Sequence, residues 1–456
     1  MSLIERLIEI VGVDNATDRL EELVPYSYDA SMKVHRPDAA VWPGSAAEVA
    51  EIVKLANQYK IPVVPRGAGT SLSGGAIPIK GGIVIDLSKM NRILELSVEN
   101  RYARVQPGVV CDDLNRELAK HGFAFPPDPA SSSVATIGGN VATNAGGIKG
   151  AKYGTTRDYV LGLQVVLPTG EVMHTGSYTM KCVSGYDLAK LFIGAEGTLG
   201  VITEVTLKIN PLPRHAMTTM ATYARLEDAG KAIFQTMTSG VLPSVMEILD
   251  KVTLKAIREN TDIDLPEAEA MILTETDGFT WEEVEAQMDV VAHILYQNHP
   301  SLVKTAKDER ERLGLWKARK SAYATLARTS TSFVLDDVTV PISRIPELLV
   351  GIQEIAQRFG LQVAAYGHAG DGNLHPQILY DEYNPATVEK MEKIEEAIFQ
   401  LAISLKGTLS GEHGIGLSKA GYMTLEHDPV EMALMKQIKR TLDPNNIMNP
   451  GKRALD

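Results

Sequence analysis

The sequence predicts an α+β protein in two parts, a glycine-rich first part and a second part built from an antiparallel sheet covered by helices. Three observations predict this. Glycine-rich stretches follow short apolar runs in the first half of the chain. Beyond residue 214, alternating and helical periodicities take turns, which is typical of a sheet with helices on one face. Between the two, Asn210–Arg214 contains two prolines and marks a boundary.

In the first part, several segments show the periodicity of a helix or a strand. Ser45 and Glu48 form a capping-box pattern ahead of apolar residues at helical spacing. Asp112 or Asp113 is expected to cap a helix that runs to His121. Strands are expected at 61–64, 82–87, 93–98, 102–106 and 201–209, with 93–98 and 102–106 forming a pair.

In the second part, strands and helices alternate along the chain. Strands are expected near 216–223, 270–276, 333–340 and 362–368. Helices are expected near 226–237, 280–297, 309–328 and 344–359, and further helices at 388–405 and 429–442.

Composition limits the class of protein. With 456 residues the chain is long enough for two or three domains. Its 44% hydrophobic and 22% charged residues are ordinary for a globular protein. The net charge of −12, without a basic cluster, argues against a nucleic-acid partner.

The cysteines and the N-terminus indicate a cytoplasmic protein. Cys111 and Cys182 are the two cysteines, too few for a disulfide framework or for an iron–sulfur cluster, which needs about four. The N-terminal residues carry an early acid and no long apolar core, so a secretory signal is not expected. No apolar run approaches the length of a membrane span.

The segment Val64–Ser71 is the most informative feature of the first part. Small residues after a strand let backbone N–H groups close around an anion, which predicts a pyrophosphate cradle. The spacing of a Rossmann fingerprint is missing, and no Gly-Lys-Ser/Thr of a Walker loop follows. A simple glycine-rich turn is the alternative for this loop taken alone.

Two further stretches of small residues make a turn an insufficient explanation. Ser131–Gly147 is dense in glycine, threonine and asparagine, which leaves room for a flat ring system and supplies groups that can bond its heteroatoms. Gly194–Ile202 carries a third glycine run at the start of the alternating strand. Three such stretches in one predicted domain point to FAD rather than to a generic phosphate.

These motifs resemble the FAD-binding domain of the vanillyl-alcohol oxidase/PCMH superfamily. Within it, the chain resembles the group of D-lactate dehydrogenases, glycolate oxidase large subunits and D-2-hydroxyglutarate dehydrogenases, from about Val34 to Lys452. The resemblance implies a PCMH-type FAD-binding domain over 1–214, a substrate or cap domain over 215–410, and a C-terminal segment, 411–456, that returns to the FAD domain.

The resemblance also implies the cofactor site. Some members of the superfamily attach FAD through a His in the first loop or a Cys in the second stretch, and neither is present here, so FAD is expected to be non-covalent. Asn449 lies in a C-terminal motif expected near the flavin ring. The expected FAD-binding residues are Pro65, Arg66, Gly67, Ala68, Gly69, Thr70, Ser71, Pro107, Gly108, Pro127, Asp128, Ser131, Thr136, Ile137, Gly138, Gly139, Asn140, Thr143, Asn144, Gly146, Gly147, Glu196, Gly197, Gly200, Ile202 and Asn449.

Two segments of the second half are candidates for a metal site. Asp371-Gly372 is a turn signal between apolar runs, so His368 and His375 are expected near each other across a hairpin. With Glu412 they supply two imidazoles and a carboxylate, a set that suits Zn, Mn or Fe. Unrelated surface or core histidines are the alternative. The metal-dependent members of the group carry ligands in this pattern, which favours the metal and leaves His413 as general base.

A third segment, Leu315–Arg319, lies on the helix expected near 309–328. Arg319 can hold a carboxylate in bidentate fashion, although a solvated helix charge is the default for such a residue. In the family, the Arg of this pattern binds the substrate carboxylate, and Tyr323, one turn later, could line the pocket. The acidic stretch 335–338 disfavours a second substrate carboxylate, so a monocarboxylic substrate is expected.

Together the resemblance implies FAD-dependent oxidation of a D-2-hydroxy acid to the 2-oxo acid, with D-lactate as the first candidate. The alternative substrate is glycolate, oxidised by the flavin subunit of a multisubunit enzyme. The expected electron acceptor is an electron-transfer flavoprotein or an iron–sulfur subunit. From the residues alone, a metal-dependent hydrolase with a nucleotide substrate and a flavoprotein that only transfers electrons remain alternatives.

Overall fold

The computed structural model describes residues 1–456 and divides into two units, each with its own hydrophobic core. Unit one comprises Met1–Gly147, Gly154–Leu212 and Glu412–Asp456. Unit two comprises Ile148–Tyr153 and Pro213–Gly411. None of the helices is both long enough and apolar enough to cross a membrane.

Unit one contains three sheets. Its strands are β1 (Ala16–Thr17), β2 (Ala39–Val41), β3 (Val63–Arg66), β4 (Ile83–Asp86), β5 (Ile93–Ser97), β6 (Tyr102–Val105), β7 (Phe123–Ala124), β8 (Val160–Val166), β9 (Val172–Gly176), β10 (Val201–Lys208) and β11 (Asn210–Pro211). A four-stranded sheet has the order β1-β2-β4-β3, with β2 and β3 both parallel to β4. A five-stranded antiparallel sheet has the order β5-β6-β10-β8-β9, and β11 pairs with β7.

Unit one also contains eight α-helices, several of which pack on these sheets. They are α1 (Leu3–Val11), α2 (Leu20–Leu23), α3 (Ala46–Tyr59), α4 (Cys111–Ala119), α5 (Ile137–Thr143), α7 (Ala189–Phe192), α14 (Met423–Glu426) and α15 (Pro429–Leu442), while α6 (Gly150–Tyr153) belongs to unit two. One cluster of buried side chains joins α3 to the four-stranded sheet, and another joins α4 and α5 to the five-stranded sheet.

Two predicted helix caps differ from the structure. The Ser45 hydroxyl accepts a hydrogen bond from the Glu48 N–H at 3.3 Å, but the Glu48 carboxylate accepts from the Gly44 N–H, so only half of the capping box forms. The prediction that Asp112 or Asp113 caps α4 is wrong. Val110 is the N-cap, and both acids lie in the first turn, where negative charge still favours the helix through its dipole.

Unit two is one eight-stranded sheet with helices. Its strands are β12 (His215–Tyr223), β13 (Val245–Asp250), β14 (Ala270–Gly278), β15 (Leu302–Thr305), β16 (Ser332–Leu335), β17 (Val338–Thr339), β18 (Gln362–His368) and β19 (Asn373–Tyr380). Neighbouring strands are antiparallel, in the order β15-β12-β14-β13-β18-β19-β16, and β17 also pairs with β19. Its longer helices are α8 (Leu226–Met237), α9 (Lys251–Asn260), α10 (Trp281–Gln297), α11 (Glu309–Leu326), α12 (Ile345–Phe359) and α13 (Pro385–Ser404). The predicted fold class is confirmed.

The two cysteines lie in contrasting surroundings within unit one. Cys111 is buried at the start of α4, and burial raises the pKa of its thiol to about 12. Cys182 is exposed in the segment between β9 and α7. Both thiols are free.

Candidate active site

The first glycine-rich loop of unit one begins where β3 ends and lies against the second stretch. A Cβ atom at Gly67 would collide with the Thr136 hydroxyl, and one at Gly69, where φ is +72°, would collide with the Arg66 guanidinium. Glycine is therefore required at both positions for the loop to keep this path. Ser71 closes the loop, because its hydroxyl accepts hydrogen bonds from the N–H groups of Ser73 and Gly75.

The Arg66 guanidinium binds backbone carbonyl groups of unit one. Its Nη2 donates to the carbonyl oxygens of Pro25 at 3.1 Å and Tyr28 at 3.0 Å. The guanidinium also lies 5.6 Å from the centre of the Tyr26 ring. Burial lowers the pKa of Arg66, although Asp29 and other nearby groups oppose that effect. These contacts anchor the start of the first loop.

The second stretch forms a short helix with bare backbone around it. Thr136 is the N-cap of α5, and its hydroxyl accepts from the Gly139 N–H at 3.2 Å. The Gly138 N–H donates to the Pro107 carbonyl at 2.8 Å, and a Cβ atom at Gly138 would lie 2.5 Å from Pro107 Cβ. Packing against Pro107 thus requires glycine at 138, and the bare backbone of this stretch is compatible with a flat cofactor such as FAD.

The third stretch is joined to the C-terminal segment of unit one. The Glu196 carboxylate accepts from the N–H groups of Ile415 at 2.8 Å and Gly416 at 2.7 Å, and from Arg453 at 2.9 Å. The Asn449 side chain donates to the carbonyl oxygens of Gly75 and Glu196 at 2.9 and 2.7 Å. The Glu196 side chain thus binds protein backbone. All of the expected FAD-binding residues belong to unit one.

Glu412 and His413 also belong to unit one and lie beside the second stretch. A Cβ atom at Gly146 would lie 2.7 Å from Glu412 Oε2, so the missing side chain makes room for the carboxylate. His413 Nε2 is 3.8 Å from Glu412 Oε1. The Ser73 hydroxyl donates to the His413 carbonyl at 3.0 Å, which ties this segment to the first loop.

In unit two, His368 and His375 face each other across the β18–β19 hairpin, as predicted. Their Nε2 atoms are 3.4 Å apart, and the ring planes are nearly perpendicular at 86°. Two imidazoles bound to one tetrahedral Zn²⁺ at about 2.0–2.1 Å would have nitrogens about 3.4 Å apart. The separation of this buried pair therefore fits a shared metal ion.

Glu247 on β13 connects this pair to Arg319 and was not singled out from the sequence. Its Oε1 lies 2.5 Å from His368 Nδ1, and its Oε2 pairs with Arg319 Nε. Burial alone would raise the pKa of this fully buried carboxyl, but Arg319 and His368 outweigh burial and hold the pKa below its usual value. The available signal was an acid in the middle of the apolar run Val245–Leu249.

A second carboxylate lies behind His375. Asp337 Oδ1 is 3.7 Å from His375 Nδ1, and Asp337 Oδ2 accepts from the Ser410 hydroxyl at 2.7 Å. Asp337 is fully buried and belongs to the acidic stretch noted in the sequence. Ser410 precedes Glu412 by two positions in the chain. Each imidazole of the hairpin therefore has a carboxylate near its Nδ1.

The helix α11 positions Arg319. The guanidinium lies 5.2 Å from the centre of the buried Tyr366 ring. One turn earlier, the Trp316 indole N–H donates to Glu275 Oε2 at 3.0 Å and fixes the helix to β14. Tyr323, one turn later, is 40% exposed and packs edge-on against Phe333, with ring centres 5.6 Å apart. Arg319 is thus held from several sides, and Tyr323 lies at the surface of the unit.

Two protein-family models match the chain. Residues 37–176 match the "FAD binding domain", and residues 212–453 match "FAD linked oxidases, C-terminal domain". The first match covers the first two glycine-rich stretches, and the second covers the histidine hairpin and the Glu412-His413 segment.

Two relatives matched over most of their length carry related names. The chain is 41% identical to the glycolate oxidase subunit GlcD of Bacillus subtilis (strain 168), over 98% of this chain and 96% of that protein. It is 38% identical to the mitochondrial D-lactate dehydrogenase [cytochrome] of Arabidopsis thaliana, over 92% of this chain and 74% of that one. Among solved structures, p-cresol methylhydroxylase with substrate bound aligns with a TM-score of 0.83 at 20% identity, over 99% of this chain and 96% of that chain, which shows a shared fold.

Proposed function

The chain belongs to the FAD-linked oxidases, and from that premise we propose that it oxidises a D-2-hydroxy acid to the corresponding 2-oxo acid. D-lactate is the first candidate and glycolate the alternative. The Arabidopsis relative is named for D-lactate and the Bacillus relative for glycolate. The observation that carries the proposal is a buried group of side chains in unit two. The Glu247 carboxylate bonds both Arg319 and His368, and the His368 imidazole faces that of His375.

Each part of the reaction is assigned to a residue. FAD, when bound without a covalent link, supplies the acceptor for the hydride from C2 of the substrate. Arg319 binds the substrate carboxylate, since a guanidinium matches its two oxygens. His413 takes the proton of the 2-hydroxyl, because an imidazole titrates near neutral pH. Tyr323 completes the pocket wall.

The proposed metal ligands are His368, His375 and Glu412, holding Zn, Mn or Fe. The 3.4 Å separation of the two imidazole nitrogens supports this assignment for unit two. A divalent ion held there would supply Lewis-acid polarisation of the substrate hydroxyl. Asp337 lies behind His375 and adds negative charge, which suits a cation and disfavours a second substrate carboxylate.

The domains and the partner follow from the same premise. We assign 1–214 and the C-terminal segment 411–456 to FAD binding, and 215–410 to the substrate domain. Since the Bacillus relative is named as a subunit, we propose that electrons leave to a partner protein, either an electron-transfer flavoprotein or an iron–sulfur subunit. We place the enzyme in the cytoplasm.

The first test is an anaerobic titration of the metal-loaded protein with D-lactate, L-lactate and glycolate in turn. We expect loss of the oxidised-flavin absorbance with a D-2-hydroxy acid or glycolate and none with L-lactate. Bleaching by glycolate alone would select the alternative substrate. A flavin band that none of the three acids bleaches would refute the proposed reaction.

The role of His413 is tested by single-turnover flavin reduction. We expect His413→Ala to slow reduction by about 10²- to 10⁴-fold at neutral pH, the usual contribution of a general base. His427→Ala is the control, since that imidazole pairs with Glu431 at 3.0 Å on the surface of α15. Full reduction rates in His413→Ala would remove His413 from the proposal.

A further inference from the structure

Glu247 contacts two residues that the proposed function assigns to different tasks. Its Oε1 bonds the imidazole of His368, a proposed metal ligand, and its Oε2 bonds Arg319, the proposed substrate-binding residue. The Glu247 side chain is fully buried, and Arg319 is 13% exposed. A single carboxylate therefore fixes the position of both side chains relative to each other.

The contact to His368 also decides which ring nitrogen carries the hydrogen. An ionised carboxylate can only accept hydrogen bonds, so His368 must donate from Nδ1. In the neutral ring, Nε2 then presents its lone pair, and this is the atom that faces His375 at 3.4 Å. Metal-binding histidines are commonly oriented by a carboxylate in this way.

We propose that Glu247 is a positioning residue that sets His368 in its metal-binding tautomer and at the same time orients Arg319 toward the substrate. The inference rests on the proposed function and adds to it a residue outside the expected ligand and substrate set. It implies that metal affinity and substrate affinity share one determinant within unit two.

A second buried glutamate provides the matched comparison. Glu275 on the neighbouring strand β14 also bonds an arginine of α11, since its Oε2 accepts from Arg312 at 2.8 Å. It further accepts from Trp316 and Thr218 and contacts neither histidine of the hairpin. Neutralising either glutamate costs folding energy, because each substitution removes a buried carboxylate that bonds an arginine of α11. Only Glu247 is expected to affect the metal.

The test compares Glu247→Gln with Glu275→Gln. A glutamine at 247 offers one accepting oxygen and one NH₂ group. Arg319 can only donate, so it takes the oxygen and the NH₂ group faces His368. The imidazole must then accept at Nδ1 and carry its hydrogen on Nε2, the nitrogen needed for the metal. Zn²⁺ affinity, measured by competition with a colorimetric chelator, should fall about 10- to 100-fold in Glu247→Gln. It should be unchanged in Glu275→Gln, while thermal unfolding reports the stability cost of each variant.

A second pair of variants, in which Arg319 is also replaced, serves should Glu247→Gln fail to fold. Arg319→Met should keep the wild-type Zn²⁺ affinity and raise the KM for the hydroxy acid. Glu247→Leu/Arg319→Met, in which residue 247 can no longer accept from His368 Nδ1, should lose Zn²⁺ affinity as well. Wild-type affinity in a folded protein carrying Glu247→Gln would overturn the inference and leave the oxidation proposal intact. A wild-type protein that binds no Zn²⁺, Mn²⁺ or Fe²⁺ would overturn the inference together with the metal assignment. If Zn²⁺ binding depends on Glu247 but no hydroxy acid bleaches the flavin, the inference is supported and the proposed reaction is refuted.

Discussion

Asp250 and Glu247 are buried carboxyl groups three residues apart on β13, and their surroundings move their pKa values in opposite directions. The arginine and histidine beside Glu247 hold its pKa down despite burial. The Asp250 carboxyl group accepts hydrogen bonds from the N–H of Thr253 at 2.9 Å and from its hydroxyl at 2.7 Å, but it pairs with no cationic side chain. Burial therefore dominates and raises the pKa of Asp250 to about 6.

This difference predicts the pH dependence of stability. The folded state binds a proton at Asp250 more readily than the unfolded state, so the free energy of unfolding falls as pH rises from about 4 to about 6. Asp250→Asn should lack that loss, which amounts to about 3 kcal/mol for a shift of this size. Denaturant unfolding of both proteins from pH 4 to pH 7 measures it.

Asp250 is the N-cap residue of α9, and the control for this experiment is the N-cap residue of another helix. Asp428 caps α15 at the surface, accepting from the N–H groups of Val430 and Glu431, and these bonds lower its pKa. The contribution of Asp428 to the free energy of unfolding therefore grows as pH rises, whereas that of Asp250 shrinks, and Asp428→Asn should remove the growing contribution. Parallel pH profiles for wild type and Asp250→Asn would contradict the assignment to Asp250.

At the scale of elements, the end of α15 is held by a buried ion pair. Lys439 Nζ lies 2.5 Å from Asp443 Oδ2 and also donates to the carbonyl oxygens of Thr198 and Met448. Asp443 in turn accepts from the N–H groups of Ile447 and Met448. These bonds order the turn after the helix. Met448, which follows that turn, forms a parallel β-bridge with Val63 of β3.

Loss of this ion pair should release the C-terminal segment. Lys439→Met leaves the buried Asp443 carboxylate without its cation, and we expect a loss of about 3–5 kcal/mol in the free energy of unfolding. FAD should also dissociate more readily, because Asn449 and the third glycine-rich stretch share hydrogen bonds. Thermal unfolding and FAD release on gel filtration measure both effects, with Arg440→Met on the exposed side of α15 as control. Unchanged stability would show that the pair contributes nothing.

At the scale of the whole molecule, segments with a clear period or an unbroken apolar run were predictable, and short segments interrupted by charged residues were not. The helix predicted at 429–442 matches α15, and strands predicted at 216–223 and 362–368 match β12 and β18 within a residue. The strand β13 was missed because its short apolar run is interrupted by Glu247 and ends at Asp250, so it shows neither an alternation nor an unbroken apolar run. The edge strand β15 was missed because none of its four residues is buried and one of them is charged.

The same reasoning explains what could be predicted of the candidate site. The Asp371-Gly372 turn is local, so the meeting of His368 and His375 followed from the sequence and is confirmed. Glu247 lies more than a hundred positions from His368, and only the pairing of β13 with β18 brings the two together. Contacts between distant strands depend on sheet order, which no local pattern in this chain records.

The two thiols of unit one have a practical consequence for spectroscopy. Because Cys111 is buried and the pKa of its thiol is about 12, a maleimide dye at neutral pH should react at Cys182 alone. Intact-mass spectrometry should find one label per native chain, and a second label under native conditions would contradict this expectation. The wild-type protein thus carries a single built-in attachment point for a fluorescent reporter, and binding of partner proteins could be followed without engineering a cysteine.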